Sequence, residues 1–168
     1  SPLPYPAIDS TRQPLASPTA DMVRPLGITM EKKKKSWDDI KREMHSSAVM
    51  FGWGSHDPIE AYNLFHASYA GKEYYNPGFY QNSTVSAHLD AAERSTSFQA
   101  SLPHWKKAQW DGKTGYGMKG DAAWAWLVNL DHLYFVDKCL DIGPRQIEPH
   151  GHGFPATWNM QDWKWTCK

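Results

Sequence analysis

The sequence predicts an α/β fold with a mixed sheet flanked by helices. Three observations carry that expectation. Strand-like and helix-like patterns alternate through the first fifty residues. A continuous apolar run, Ser47 to Trp53, has the length and the Val and Phe content of a buried strand. Two amphipathic helical patterns follow near residues 83–94 and 97–110. Strands alternating with helices imply a layered fold with a largely parallel sheet.

Leu3 to Ile8 is short, apolar and rich in proline, which suits an edge strand. Asp9-Ser10-Thr11 is a helix-capping cluster. Pro18 lies inside the helix that follows, so that helix either kinks or restarts at Ser17 with Pro18 at its first position. Ala20, Met22, Val23 and Leu26 supply its apolar face, and Gly27 its stop. Ile28 to Glu31 reads as a short strand. Lys32 to Lys35 reads as a solvated edge before a second helix. Ser36 caps that helix, Asp38 and Asp39 complement its dipole, and Trp37, Ile40 and Met44 share one face.

Residues 59–82 have no regular period. Val85, Leu89 and Ala92 mark a helix over 83–94, and Trp105, Ala108 and Gln109 lie on another over 97–110. The four glycines between Gly112 and Gly120 mark a loop. Trp124 to Phe135 alternates well enough for one or two strands. From Gly143 to Lys168 there is little periodicity, and no internal repeat is visible.

A chain of 168 residues is the size of one domain or one lobe. Such a domain buries about 70% of its unfolded surface, so a core is possible. Lys plus Arg balances Asp plus Glu at 18 each, which argues against both nucleic-acid binding and acidic disorder. No apolar stretch is long enough to span a membrane. The opening Ser1-Pro2-Leu3-Pro4 reads as an internal stretch of a longer protein. Nine Trp residues suit either a Trp-rich core or a site for a polar small molecule. Cys139 and Cys167 permit one disulfide without demanding it.

Eight histidines raise the question of metal. His150 and His152, in the segment PHGHG, could both reach one ion, although a stable site needs further ligands. His66, beside Tyr62 and Phe65, reads as a packed histidine. His132 reads as a structural partner of Asp131. No nucleophile elbow or zinc-protease helix is present. The triplet Gly112-Lys113-Thr114 lacks the upstream glycine of a phosphate loop, because position 107 is Lys.

The order of the pieces resembles the C-terminal part of the family-5 extracellular solute-binding proteins of peptide and nickel ABC importers. The residues that carry the resemblance are Leu26-Gly27-Ile28, the apolar run ending in Trp53-Gly54, the Asp57-Pro58 turn and the loop Asn76-Pro77-Gly78-Phe79-Tyr80. The helices around Leu89 and Trp105 and the segment WAWLVNLDHLYFV complete it. The resemblance implies the C-terminal lobe of a two-lobed periplasmic-binding-protein-like fold. Residues 1–142 would form the α/β lobe, and 143–168 would cross back toward an N-terminal lobe.

Peptide binders of that family place an Asp four residues before the proline of the turn, where it pairs with the peptide's amino terminus. Here that position is Gly54. The departure points toward the nickel branch, in which an aromatic at this strand end packs against a small chelator holding the metal. The expected ligand loop is therefore Trp53, Gly54, Ser55, His56 and Asp57. The implied ligand is a nickel chelate or short peptide, and nickel would be cargo rather than cofactor. The implied partners are the other lobe and an ABC permease, with self-association of an isolated lobe as a further expectation. The implied location is periplasmic or membrane-anchored outside the cytoplasm, where a Cys139–Cys167 bridge could form. No covalent chemistry is expected. The alternative is a metal-dependent enzyme built on His150 and His152.

Overall fold

The computed structural model describes residues 1–53, 57–129, 133–144 and 157–167. The fold is α/β, and the chain divides into two compact units. The first holds Ser1–Gly52 and Pro58–Ala125, the second Trp53–Asp57 and Trp126–Lys168.

In the first unit, strand β1 (Pro2–Pro6) leads into helix α1 (Arg12–Val23), a 3-10 turn at Arg24–Leu26 and strand β2 (Glu31–Lys35). The strands pair in parallel, with Pro2 opposite Glu31 and Pro6 opposite Lys35. Ser1 C=O accepts from Glu31 N–H, and Ala7 N–H donates to Lys35. The odd-numbered residues of β1 therefore face β2. Prolines 2, 4 and 6 face the other way, where their missing N–H groups break nothing in the ladder. Leu3 and Tyr5 are buried and pack with Ala16 of α1 and Met50.

Two strand expectations are corrected here. The second strand is Glu31–Lys35, not Ile28–Glu31, so the lysine run is itself the strand. Pairing with β1 sets its bounds, and its charged side chains remain at a solvated edge. Lys32 donates to Ser17 Oγ at 2.8 Å, and Lys35 pairs with Glu43 at 2.7 Å. The run Ser47–Trp53 forms no strand. Met50 N–H does donate to Pro4 C=O at 3.1 Å. The return bond is impossible, because every β1 residue on that side is a proline.

Helix α1 is continuous through Pro18. Asp9, rather than Ser10 or Thr11, does the capping: its Oδ1 accepts from the backbone N–H groups of Thr11 and Arg12. The helix buries Ala16 and Ala20, while Met22 and Leu26 of the expected face are exposed. Small residues let the helix lie close to β1.

Helix α2 (Trp37–Glu43) follows as expected, capped by Ser36, whose Oγ accepts from Asp39 N–H, and anchored by buried Ile40 and Met44. Helix α3 (Ile59–Phe65) lies in the stretch read as irregular. It begins at Pro58 without a side-chain cap and buries Leu64 and Phe65. Asn76, fully buried, organises the loop after it. Its side chain donates to His66 and Tyr80 carbonyls and accepts from Tyr80 N–H.

Helices α4 (Ser83–Glu93) and α5 (Phe98–Gln109) form an antiparallel pair close to the expected bounds. Asn82 caps the first and Ser97 the second. Val85, Leu89, Ala92, Trp105 and Ala108 are buried. The glycine-rich loop returns under α5, where a Cβ on Gly115 would come within 2.1 Å of the Gln109 carbonyl oxygen. Phe65 stacks on Tyr116 at 3.9 Å and meets Tyr80 edge-on.

In the second unit, β3 (Leu140–Asp141) pairs antiparallel with β4 (Lys164–Trp165), after a 3-10 turn at Met160–Asp162. A Cys139–Cys167 disulfide closes this hairpin, and Thr166 binds the Cys139 carbonyl. The expected strands over Trp124 to Phe135 are not formed by the described residues of that stretch. A strand exists only by pairing, and the described residues hold two ladders, β1–β2 and β3–β4. Leu127, Val128, Leu133, Phe135 and Val136 are exposed, Phe135 completely at 101%.

Candidate functional site

The expected ligand loop follows the extended segment that runs beside β1. Its last residue in the first unit, Gly52, is held by a side chain forty positions away. Arg12 Nη2 donates to the Gly52 carbonyl at 3.4 Å, while Nη1 is ion-paired with Asp9. The guanidinium carbon lies 5.6 Å from the ring centroid of Trp37 and 5.8 Å from that of Phe51, within reach of both quadrupoles.

The rings themselves are ordered. Trp37 meets Phe51 edge-on at 5.5 Å, and Phe51 stacks on Tyr74 at 6.0 Å. Tyr74 donates its hydroxyl to the Trp37 carbonyl at 3.2 Å. The result is an aromatic platform met by two cations, Arg12 and Lys41, whose Nζ lies 5.7 Å from the Tyr74 ring centroid.

Burial pushes the Asp9 carboxyl toward a higher pKa, but the hydrogen bond from Arg12 N–H, the Arg12 guanidinium and Thr11 N–H outweigh it. The net shift is downward. Asp9 thus stays ionised opposite Arg12 through the neutral range.

Of the expected loop, Trp53 is half-buried and Asp57 is exposed. Gly54, Ser55 and His56 lie outside the described residues, as do Asp131, His132, His150 and His152. Among the described residues no group of three His, Cys, Asp or Glu side chains is placed to hold a metal ion.

His66 is packed, as expected. It stacks on Tyr62 at 4.4 Å, with ring planes 8° apart, and its Nε2 lies 3.3 Å from the Asp90 carboxylate. Tyr62 donates to the same carboxylate. Its hydroxyl pKa is pushed up to about 12 by burial and by that bond.

A polar groove of about 520 Å³ lies on the first unit, lined by Asp38, Lys41, Arg42, His45, Gly71 and Glu73. Three of its charged side chains are paired: Lys41 with Glu73, and Arg42 with Asp39. His45 bridges the Glu73 and Asn76 carbonyls.

Sequence reasoning missed Arg12 and Tyr74. Nothing local marks either of them. Arg12 sits among helix-start residues and Tyr74 in a stretch without period, and only the folded backbone brings them to Phe51 and Gly52.

No family model and no curated protein matches the chain. Solved structures do. NikZ from Campylobacter jejuni, in complex with Ni(L-His), superposes with a TM-score of 0.68 at 18% identity, over 96% of this chain and 32% of that one. This chain shares the fold of that part of the structure. MppA, a periplasmic murein tripeptide binding protein in its unliganded open form, matches with a TM-score of 0.52 at 18% identity, over 64% of this chain and 21% of its own. This chain therefore spans about a third or less of the solute-binding structures it matches.

Proposed function

We propose that this chain is one lobe, the C-terminal one, of the solute-binding component of an ABC importer, and that its ligand is a nickel chelate. The observation that supports this most is the likeness over nearly the whole chain to a protein solved with nickel and histidine. Gly54 supports the choice of ligand. A peptide's ammonium brought into a cleft needs a carboxylate partner, and an unpaired buried charge is costly. Glycine at that position supplies none. Short peptides are the second ligand class, represented by MppA.

In this reading Trp53 offers an aromatic face to the chelator, and Gly54, Ser55, His56 and Asp57 complete the loop. The aromatic platform behind Gly52 holds the loop's root. Residues 1–142 form the lobe and 143–168 the crossing toward the other lobe. Ligand is retained by closure of two lobes and delivered to a permease, which requires no bond-making step. The exposed apolar side chains of Leu127, Val128, Leu133, Phe135 and Val136 support a partner lobe, since apolar surface left to solvent marks an interaction site. The Cys139–Cys167 bridge supports an oxidising, extracytoplasmic location.

The test is calorimetric titration of the two-lobed protein with Ni²⁺, with and without L-histidine, and with a mixture of short peptides. Uptake of nickel only in the presence of histidine is the expected result. Uptake of peptides would keep the importer and overturn the inference from Gly54. Nickel retained by this chain without histidine would favour a metal site at His150 and His152 instead.

A further inference from the structure

We propose that His66 is a proton-operated switch: its neutral ring holds the 3-10 turn Ala67–Tyr69, and its charged ring lets that turn go and draws toward α4. The proposal stands apart from the ligand reading, since every residue in it lies on the first unit.

The backbone fixes the tautomer. Ser68 N–H donates to His66 Nδ1 at 3.1 Å, the bond that caps the turn. A backbone N–H can only donate, so Nδ1 carries a lone pair and the ring proton sits on Nε2. The Ser68 hydroxyl, 2.7 Å from Nδ1, donates to it as well. Nε2 is buried and makes no hydrogen bond, although the Asp90 carboxylate is 3.3 Å away. Tyr62 already occupies that oxygen through its hydroxyl. One ring nitrogen is therefore satisfied, and the other is not, with an anion beside it.

A second proton reverses the preference. It must enter at Nδ1, where it opposes the Ser68 N–H, donor against donor. The Ser68 hydroxyl can rotate and accept, but the amide cannot, so the turn loses its cap. At Nε2 the imidazolium gains Asp90, and a hydrogen bond between charged groups is stronger than the neutral one given up. Tyr62 stays stacked on the ring at 4.4 Å. Burial and the Asp90 bond push its hydroxyl pKa up to about 12, so it remains a donor while the imidazole titrates. The other charges around the pair are Glu93 near the Tyr62 hydroxyl, Arg94, 3.9 Å from the second Asp90 oxygen, and Lys72, over the Tyr69 ring at 6.0 Å. The release is local. Ala67 N–H remains tied to Ser86 Oγ on α4, and the His66 carbonyl to Asn76.

The experiment is ¹H–¹⁵N NMR of this chain between about pH 8 and about pH 5, where imidazoles ordinarily titrate. It reads the His66 ring nitrogens and the amide protection factor of Ser68. The expected result is the Nε2–H tautomer at high pH and a loss of Ser68 protection of about fivefold on acidification, the equivalent of one ordinary hydrogen bond. Protection in α5 is expected to stay unchanged. His66→Gln, which keeps an acceptor but has no titratable ring, is expected to hold Ser68 protected throughout. Asp90→Asn, which still accepts from Tyr62 but carries no charge, is expected to move the loss to lower pH, and it decides the matter if His66→Gln does not fold. An Nδ1–H tautomer at high pH overturns the switch, as does Ser68 protection that is independent of pH in the wild type. The same loss in His66→Gln, or an unmoved transition in Asp90→Asn, overturns it too.

Discussion

Residues 83–109 and residues 126–136 both carry large apolar side chains, yet these end up opposite. The first stretch becomes α4 and α5, with Val85, Leu89 and Ala108 fully buried. The second forms no strand in its described residues and leaves Phe135 fully exposed. The difference follows from where each element finds its hydrogen bonds. A helix satisfies its own backbone and needs only a neighbour for one face, which α4 and α5 supply to each other. A strand needs a second strand before it exists at all. Apolar sequence thus marks a core when the structure is local, and a waiting interface when it is not.

The comparison breaks most readily at Leu89. Leu89→Ala removes a fully buried side chain and is expected to cost ~2–5 kcal/mol, read from urea unfolding. The Cys139→Ser, Cys167→Ser double variant removes the staple across 28 residues of the second unit. Its loss is worth ~2–4 kcal/mol, read as faster proteolysis within 137–167, with cleavage in 83–109 unaltered. A coupled loss would mean that the hairpin supports the helices. Next is Asn82→Ala, which loses the cap of α4 and the bond to Asp121, at ~1 kcal/mol in thermal unfolding.

The same corner gives a pH dependence. Hydrogen bonds from Tyr80 and then Asn82 lower the Asp121 carboxyl below its ordinary 3.8. A carboxyl depressed in the folded state contributes stability that is present above its unfolded value and lost as pH falls through the folded one. The Tm of the wild type is therefore expected to drop below about pH 4 more steeply than that of Asp121→Asn. Burial and the Asp121 bond raise the Tyr80 hydroxyl above 10.0, so its contribution is present below pH 10.0 and lost as pH rises through the folded value. The smallest effect belongs to Phe135→Ser. In this chain it is expected to change stability by no more than ~0.5 kcal/mol. In the two-lobed protein the same change is expected to destabilise strongly, and equal, small effects in both would remove Phe135 from any interface.

Legibility in the sequence tracked the same divide. Helix α2 was readable from its Ser36 cap and the spacing of Trp37, Ile40 and Met44, and α4 and α5 from their apolar residues alone, while the Asn82 and Ser97 caps emerged only in the structure. Helix α3 was not, since it starts at Pro58 with no side-chain cap and is only seven residues long. Strand β2 was misplaced because five charged residues carry no apolar signal, and only pairing with β1 makes them a strand. The run Ser47–Trp53 had every mark of a strand. What prevents it is the proline spacing of a segment more than forty residues earlier. At the candidate site, Trp53 and its loop were proposed through resemblance, and Gly54, Ser55 and His56 lie outside the described residues. Arg12 and Tyr74 were not legible, because their role is defined by contacts across 40 and 37 residues.

The central claim is best tested by paramagnetic broadening in the ¹H–¹⁵N NMR spectrum of the two-lobed protein, titrated with Ni²⁺ in the presence and absence of L-histidine. The account predicts that histidine is required, and that the broadened signals are the Trp53 indole and the amides from Gly52 to Asp57. Broadening centred on His150 and His152 with nickel alone, leaving Trp53 sharp, would contradict it.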